Sequence, residues 1–246
     1  MVKRKIKVLK YQEPLDQTGL IALKKEECNK LLFESMGIDN RDIALINKMG
    51  FRWENLGDYC SSSVAEWCFY ALHKLNREMG MKRELKERTA LIIGSGGNIG
   101  TKIMKICRGY GINCFGHESR YPSHTEARFM KLLEVAEIIF VAIPSGFWNG
   151  KEMIRNDNFL EKKHFLAMKR KPVIINPARI GLIDLDLVQE MIDEKVIYGY
   201  ALDEQPNHRL GAYTKCLFTP HNAWITKEAK KRRAKEVGKK LRKLRR

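Results

Sequence analysis

Apolar runs alternate with stretches of helical periodicity along the chain from Thr89 onward. Most of these runs are continuous, which is typical of strands that are buried on both faces of a parallel sheet. The runs lie at 90–93, 112–115, 138–143, 173–176, 198–202 and 217–219, and the helical stretches at 102–110, 126–135 and 185–194. This alternation predicts an α/β fold, a doubly wound parallel sheet of the Rossmann type.

The chain before Ser61 has a different pattern. Short apolar runs at 6–9 and 43–46 are separated by a Lys/Glu-rich stretch at 24–35, which we interpret as helical. A helix is also predicted to begin after three consecutive serines, with Ser63 as its N-cap and Glu66 completing a capping box. These features predict a small N-terminal domain over residues 1–62.

Positive charge is concentrated at the C-terminal end. The 246 residues carry a formal net charge of +17, and residues 226–246 contain 12 Lys/Arg against 2 Glu. Apolar residues recur there at helical spacing, so we predict a C-terminal helix over 225–246 that could pack on the N-terminal domain. Its basic side chains are either a solvated face or a contact with a polyanion such as nucleic acid. The last twenty residues contain no aromatic side chain, so base stacking is not expected there.

Composition narrows the class of protein. No apolar run approaches the roughly 20 residues that cross a bilayer, and the N-terminus lacks the apolar segment of a secretory signal. The six cysteines form no C-x-x-C pair and show no metal-ligand spacing with histidines. We therefore expect a cytoplasmic protein with reduced thiols, no metal site and no membrane contact.

A glycine-rich loop follows the first strand of the predicted sheet. Pyrophosphate must approach such a loop closely, and the following helix offers it unpaired N–H groups. The spacing is irregular, because the glycines give either G-x-G-x-x-x-G or, starting one residue later, S-x-G-x-x-G. Its position between a strand and a helix nevertheless predicts the phosphate cradle of a dinucleotide-binding domain over residues 63–224. The candidate cofactor-binding residues of the loop are Gly94, Gly96, Gly97, Asn98, Ile99 and Gly100.

A carboxylate stands where an adenosine ribose would bind. Glu118 ends the second predicted strand, 18 residues beyond Gly100, and would accept hydrogen bonds from the ribose hydroxyls. Arg120 could instead pair with a 2′-phosphate, which keeps NADP open. We favour NAD, because a carboxylate beside a phosphate is repulsive.

Four segments, taken in chain order, resemble the NAD-dependent D-isomer-specific 2-hydroxyacid dehydrogenases. The first looks like the start of that family's interdomain helix, and the second like its third strand with a terminal proline, Pro144. The third resembles the family's N-x-A-R-G-G-x-x-D stretch, and the last its L-D and T-P-H elements. The segments are residues 57–66, 134–144, 175–184 and 201–224.

The resemblance implies roles for several of these residues. Arg179 would bind the substrate carboxylate and polarise the 2-oxo group, for which a planar guanidinium is suited. His221 would exchange a proton with the substrate oxygen as general acid/base. Asp203 would contact the nicotinamide carboxamide, and Pro144 would lie against the cofactor. The family pairs its histidine with a glutamate, and here either Glu204 or Gln205 could stand at that place.

The largest departure from the family is a shortened N-terminal substrate domain, residues 1–62. Within it, Lys48, Met49 and Gly50 fall near the family loop that contacts the substrate carboxylate with backbone N–H groups. The resemblance also implies a homodimer and a small 2-oxo acid substrate.

Three functions stay open at this point. The leading hypothesis is an NAD-linked reductase of small 2-oxo acids. A non-catalytic NAD(H)-sensing protein is favoured by the shortened domain and the basic C-terminal segment. An oxidation of formate type, which needs no proton transfer, would fit Gln205 as the partner of His221.

Overall fold

The computed structural model describes residues 5–10, 13, 15–38, 41–118 and 126–245. Contacts divide the chain into two compact units. The first unit contains Met1–Cys60, Gly146–Asn156 and Thr226–Arg246. The second unit contains Ser61–Ser145 and Asp157–Ile225. The first unit therefore gathers three separate stretches of sequence, of which the middle one was not anticipated from the pattern.

The described strands are, in chain order, β1 (Lys5–Leu9), β2 (Cys28–Phe33), β3 (Arg52–Asn55), β4 (Thr89–Ile93), β5 (Asn113–His117), β6 (Ile138–Val141), β7 (Gly146–Trp148), β8 (Met153–Arg155), β9 (Val173–Asn176), β10 (Gly199–Leu202) and β11 (Cys216–Phe218). The described α-helices are α1 (Gln17–Lys25), α2 (Ile43–Lys48), α3 (Ser61–His73), α4 (Asn98–Gly109), α5 (Glu126–Val135), α6 (Lys162–Leu166), α7 (Leu185–Asp193) and α8 (Lys227–Arg245). A π-helical turn, Lys74–Glu78, extends α3.

The second unit is built on one parallel sheet in the order β11-β10-β9-β6-β4-β5. All six strands predicted from the apolar runs are present, and α4, α5 and α7 lie where helical periodicity predicts helices. The prediction of a doubly wound parallel fold is confirmed. The strand order reverses between β4 and β6, and ligands bind at the carboxyl ends of strands at such a switch point.

Burial explains why these runs form central strands. Every residue of β6, β9 and β10 is buried, so both faces of the sheet are covered. Helix α4 has the opposite character, with an apolar face formed by Ile103 and Cys107 and exposed polar residues elsewhere. Such helices cover the sheet by burying one stripe of side chains each.

The first unit contains a three-stranded parallel sheet with β2 in the middle. The prediction of a helix over 24–35 is wrong: α1 ends at Lys25 and Cys28–Phe33 is strand β2. Leu31, Leu32 and Phe33 are each fully buried. Three successive buried side chains suit a strand covered on both faces, whereas an amphipathic helix buries only one face.

Helix α8 packs against β2 and β3 within the first unit. Ala229 and Leu244 are buried near its two ends. The ammonium group of Lys30, itself buried in β2, donates to the carbonyl of Leu244 and so caps the last turn of the helix. Tertiary contacts, rather than helix propensity alone, thus fix the end of α8.

Two local features differ from the sequence prediction. Helix α3 begins at Ser61, so Ser63 lies in its first turn and is not the N-cap. Three consecutive serines offer alternative starting points, which the pattern could not separate. The second feature is the antiparallel hairpin β7–β8, whose Trp148 and Met153 pack against the apolar core of the first unit.

No helix among the described residues is long and apolar enough to cross a membrane.

Candidate active site

The glycine loop lies between β4 and α4, at the switch point of the sheet. Gly94 adopts a φ of +85°, and a Cβ there would stand 2.6 Å from the carbonyl oxygen of Ala142, which follows β6. A Cβ at Gly100 would overlap the carbonyl of Gly94. Gly97 is the N-cap of α4 and offers no side-chain cap to its first N–H groups. The loop is therefore a cradle that excludes side chains and presents backbone donors.

Glu118 folds back onto this loop. One of its carboxylate oxygens accepts the Ser95 hydroxyl at 2.6 Å and also the N–H of Gly96. Ser95 in turn lies against β5, where a Cβ at Gly116 would overlap its hydroxyl. The irregular spacing of the loop is thus accommodated because the Ser95 side chain occupies the space that Gly116, with no side chain, leaves open. Arg120 lies outside the described residues.

Asn176 shapes the turn after β9 that carries Arg179. Its fully buried amide donates to the carbonyl of Arg179 at 2.8 Å and to the hydroxyl of Tyr200 at 3.0 Å, and accepts from the N–H of Ala178 at 2.9 Å. Burial raises the pKa of Tyr200 well above its ordinary value, so the hydroxyl stays neutral. The Arg179 guanidinium is partly exposed and donates to Ala178.

Asp203 organises the loop after β11. Its carboxylate is 3% exposed and accepts the Thr219 hydroxyl at 2.6 Å and the N–H groups of Asn222 and Ala223, both at 2.9 Å. Three donors on one buried carboxylate hold the loop in a single conformation. Within it His221 adopts a φ of +53°, an uncommon conformation for a residue other than glycine. Such strain persists only where surrounding contacts impose it.

Of the two candidate partners of His221, Glu204 is the one with a carboxylate oxygen beside the imidazole. The imidazole Nδ1 lies 3.2 Å from the carbonyl oxygen of Asp203 and 3.9 Å from Glu204 Oε1. The other oxygen of Glu204 accepts the N–H of Ile180 at 2.6 Å. Gln205 is exposed. An Nδ1–H that donates to the Asp203 carbonyl leaves Nε2 as the nitrogen that can exchange a proton with a ligand.

The structure therefore brings together two groups of predicted residues. Arg179, Glu204 and His221 follow β9, β10 and β11, three neighbouring strands, at the same edge of the sheet. The glycine loop and Pro144 follow β4 and β6 at that same edge. Among the described residues no group of three or more His, Cys, Asp or Glu side chains could hold a metal ion.

The candidate loop at Lys48–Gly50 is not suited to bind a carboxylate. The N–H of Met49 donates to the Leu45 carbonyl and that of Gly50 to the Asn47 carbonyl, both at 2.9 Å. These residues form the C-terminal cap of α2, so their donors are already engaged. The expectation that they present free N–H groups is wrong.

Sequence reasoning missed a better candidate in the loop after β2. The carbonyls of Ser35 and Met36 accept hydrogen bonds from Leu56 and Asn55, and that of Gly37 from the Ser35 hydroxyl. Within the described ranges the N–H groups of Met36 and Gly37 make no hydrogen bond. The sequence feature that could have indicated this loop is Gly37, four residues after the apolar run that ends at Phe33. Because we interpreted 24–35 as a helix, the run was not assigned as a strand and the loop after it was not considered.

A cavity of about 180 Å³ lies at the opposite edge of the sheet, among residues that precede β4, β6, β9 and β10. Burial alone would raise the pKa of Glu137, but Arg88, the N–H of Thr89 and Arg83 outweigh it and lower that pKa. The cavity is separate from the residues described above. Its lining is Met81, Arg83, Arg88, Glu137, Ile138, Arg170, Lys171 and Tyr198.

Fold and loop geometry define a dinucleotide-binding domain with polar residues gathered at one edge of its sheet. Residues 62–223 match the family of D-isomer specific 2-hydroxyacid dehydrogenases, NAD binding domain. The chain belongs to this family. The family assignment, the Rossmann-type fold and NAD(P) as the cofactor class are thereby confirmed.

Characterised relatives match across most of the chain. It is 26% identical to D-lactate dehydrogenase of Lactobacillus delbrueckii subsp. bulgaricus, over 90% of this chain and 77% of that protein. It is 27% identical to erythronate-4-phosphate dehydrogenase of Bacteroides fragilis, over 87% of this chain and 65% of that protein. The chain thus spans between 65% and 77% of the length of these two relatives.

Solved structures share the fold. An acyclic imino acid reductase in complex with NADPH and D-Arg superposes with a TM-score of 0.79 at 20% sequence identity. The superposition covers 97% of this chain and 83% of the chain of the reductase. The NAD⁺ complex of D-lactate dehydrogenase from Lactobacillus jensenii gives a TM-score of 0.71 at 22% identity, covering 94% and 80%.

Proposed function

We propose that this protein transfers a hydride between NAD(H) and a small 2-oxo/2-hydroxy acid. The observation that carries the proposal is the carboxylate of Glu204, which contacts both the turn carrying Arg179 and the imidazole of His221. A cationic guanidinium and a proton donor at one sheet edge are the two groups that reduction of a 2-oxo acid requires.

The residues present fit the dinucleotide. The cradle leaves no room for a side chain at Gly94 or Gly100 and would hold the pyrophosphate against the N-terminus of α4, where Gly97 is the N-cap. When bound, the nicotinamide supplies or accepts the hydride. Pro144 lies in the loop after β6, on the other side of the switch point, where it would contact the coenzyme.

NAD is the proposed coenzyme rather than NADP. The Glu118 carboxylate already lies on the glycine loop, at the place where it would accept a ribose hydroxyl. A 2′-phosphate at this place would face that carboxylate and be repelled.

In the reduction, Arg179 binds the substrate carboxylate and polarises the 2-oxo group. His221 gives the proton on Nε2 to the substrate oxygen as that oxygen gains negative charge. Glu204 stabilises the imidazolium, and in the oxidation the same nitrogen takes the proton back. Asp203 is a positioning residue in this scheme, because its carboxylate fixes the loop that carries His221. Its contact with the nicotinamide carboxamide stays a prediction.

We assign the first unit to substrate recognition and the second unit to coenzyme binding. In the first unit, the N–H groups of Met36 and Gly37 replace those of Met49 and Gly50 as the candidate anion-binding loop. Their position after the central strand supports this assignment, because ligands collect at carboxyl ends of parallel strands.

The test is loss of NADH absorbance with glyoxylate, pyruvate, hydroxypyruvate and bulkier 2-oxo acids. We expect turnover with at least one of them, and a loss of about 100-fold or more in kcat for His221→Ala with NADH binding retained. A protein that binds NADH and turns over none of these acids would contradict the proposal.

The contact between Glu204 and His221 favours this reaction over nucleotide sensing, and the exposure of Gln205 disfavours a formate-type oxidation.

We also propose a homodimer in the cytoplasm. Tyr70 on α3 and Tyr110 after α4 are 51% and 41% exposed, and Phe69 stacks on Tyr110 with ring centroids 5.3 Å apart. Exposed aromatic side chains of this kind are enriched at interfaces. None of the six cysteines, all of which are described, forms a disulfide, which suits a reducing compartment. Sedimentation of the wild type and of Tyr70→Lys tests the dimer: we expect the variant to be monomeric.

A further inference from the structure

The solvent side of α8 carries a continuous row of cations, here called the basic stripe. Its members are spaced four, four, four, three and three residues apart, which places them on one side of an α-helix. All of them are exposed. In the described part of the chain only one, Lys239, pairs with an acid, Glu236 at 3.6 Å. The stripe consists of Lys227, Lys231, Lys235, Lys239, Arg242 and Arg245.

Other basic residues of the helix hold it to the first unit. Arg233 pairs with Glu34 at 2.8 Å and Lys240 with Glu54 at 2.8 Å, and Lys243 also contacts Glu54. The cations of α8 are thus divided between a face that meets acids of β3 and of the loop after β2 and a face whose one ion pair among the described residues, Lys239 with Glu236, lies within the helix itself. Docking of the helix does not require the basic stripe.

The stripe opposes the stability of the helix that carries it. Lys227, Lys231, Lys235 and Lys239 are like charges at i, i+4 spacing, and each such pair is destabilising by a few tenths of a kcal/mol. Lys227 and Lys231 also lie near the N-terminus of α8, where the helix dipole disfavours cations. An anionic ligand laid along the stripe would remove both penalties.

The form of the stripe selects the ligand. Cations recur about every 6 Å over roughly 27 Å of rigid helix. No aromatic or large apolar side chain interrupts them, so neither base stacking nor insertion into a bilayer is provided for. What remains is a linear array of charges that suits a linear polyanion. A DNA duplex carries one phosphate charge for about every 1.7 Å of its axis, enough to meet every cation of the row.

From this geometry we propose that the basic stripe of α8 binds the phosphate backbone of nucleic acid without sequence preference. The site lies wholly on one helix of the first unit and is independent of the proposed dehydrogenase activity. Binding by backbone neutralisation alone makes affinity steeply dependent on salt.

The experiment uses the full chain and a fluorescent DNA duplex of about 20 base pairs, with anisotropy measured between about 50 and 200 mM salt. Six phosphate contacts predict a slope of log K against log salt of about −5. In the triple variant Lys227→Gln, Lys231→Gln, Lys235→Gln the slope falls to about −3, with affinity at least about tenfold weaker. Gln has nearly the helix propensity of Lys, so circular dichroism should show α8 retained.

A matched variant removes the same charge elsewhere: Lys105→Gln, Lys131→Gln, Lys151→Gln, three exposed positions outside α8. We expect it to change affinity less than about twofold. Equal losses in the two triple variants would overturn the proposal, because net charge alone would then explain binding. Stripe-dependent binding to phosphatidylserine vesicles with no binding to DNA or single-stranded RNA would also overturn it, in favour of a membrane. The rate of NADH oxidation is the check that the stripe variant remains folded.

Discussion

Glu204 lies 3.9 Å from His221, with Oε1 facing Nδ1, while its other oxygen accepts the N–H of Ile180 at 2.6 Å. One carboxylate therefore couples the turn after β9 to the histidine after β11. The coupling runs through the loop after β10, the strand between them. Neighbouring strands thus bring a guanidinium, a carboxylate and an imidazole to one sheet edge, although they are separated along the chain.

Replacing Glu204 by Gln should slow reduction of the 2-oxo acid. The variant removes the negative charge that we propose stabilises the imidazolium, while it keeps the size of the side chain. Glu204 is partly exposed, so we expect a loss of about tenfold in kcat, equal to about 1.4 kcal/mol of transition-state stabilisation. Steady-state oxidation of NADH measures it.

Gln205→Ala is the matched control for that measurement. Gln205 is exposed, and its neighbour supplies the contact to His221, so the control should stay within about twofold of wild type. The opposite ranking, with Gln205→Ala slow and Glu204→Gln fast, would show that the histidine has a different partner in the working enzyme.

Asp203→Asn should destabilise the second unit. The buried carboxylate accepts three hydrogen bonds, and an amide keeps one acceptor oxygen while it places an NH₂ group against backbone donors. We expect a loss of about 2–4 kcal/mol in the free energy of unfolding, measured by urea denaturation. Thr219→Val removes only one of the three donors and should cost about 1 kcal/mol. Equal effects of the two variants would contradict the central role of the carboxylate.

The sequence predicted the sheet, and the place of the candidate site residues at its edge, for a physical reason. Continuous apolar runs identify strands covered on both faces, and the residues that directly follow them must lie at the ligand-binding edge. Arg179 and His221 were selected as candidates in this way, together with their resemblance to family motifs, and their roles stay predictions. The choice between Glu204 and Gln205 could not be made, because it depends on how the short turn after β10 orients two adjacent side chains.

Other features depend on contacts that local patterns do not encode. The role of Gly116 follows from the position of Ser95 on another loop, and that of Met36 and Gly37 from assigning β2 as a strand. Lys and Glu near Leu31 suggested a helix, yet burial in the middle of a sheet determined the structure there. Tertiary packing overrides local propensity at such places.

Gly116→Ala should weaken both folding and NADH binding. The new methyl group would overlap the Ser95 hydroxyl, and a displaced Ser95 would lose its hydrogen bond to Glu118. We expect about 1–3 kcal/mol of destabilisation, as for overpacking, and a weaker Kd for NADH by fluorescence titration. The double variant Gly116→Ala, Ser95→Gly removes the overlapping side chain and should regain most of the stability. A single variant as stable as wild type would show that the loop adjusts freely.

Glu118→Ala should change the choice of coenzyme. Without the carboxylate, a 2′-phosphate no longer faces a negative charge, whereas a ribose hydroxyl loses its acceptor. We expect the ratio of kcat/KM for NADH over NADPH to fall at least about tenfold, or about 1.4 kcal/mol. Glu152→Ala, at an exposed position in the first unit, is the control and should leave the ratio unchanged. A wild-type enzyme that already prefers NADPH would contradict the assignment.

Glu54→Gln should loosen the docking of α8 in a pH-dependent way. Burial alone would raise the pKa of Glu54, but hydrogen bonds from Lys240 and Lys243 outweigh it and hold that pKa below the usual 4.5. A carboxyl whose pKa is lower in the folded state stabilises the fold above its unfolded pKa and loses this contribution as pH falls. We expect the variant to be about 1 kcal/mol less stable than wild type at neutral pH.

That difference should shrink as the pH falls below 4.5 and vanish below the lower pKa of the folded state, where the wild-type carboxyl is protonated in both states. Urea denaturation of both proteins across this range measures it. Glu152→Gln, at an exposed position in the same unit, should match wild type at every pH. A gap between Glu54→Gln and wild type that persists in acid would mean that the side chain stabilises the helix by packing rather than by its charge. The pairing of Lys240 and Lys243 with Glu54 would then be a consequence of docking and not its cause.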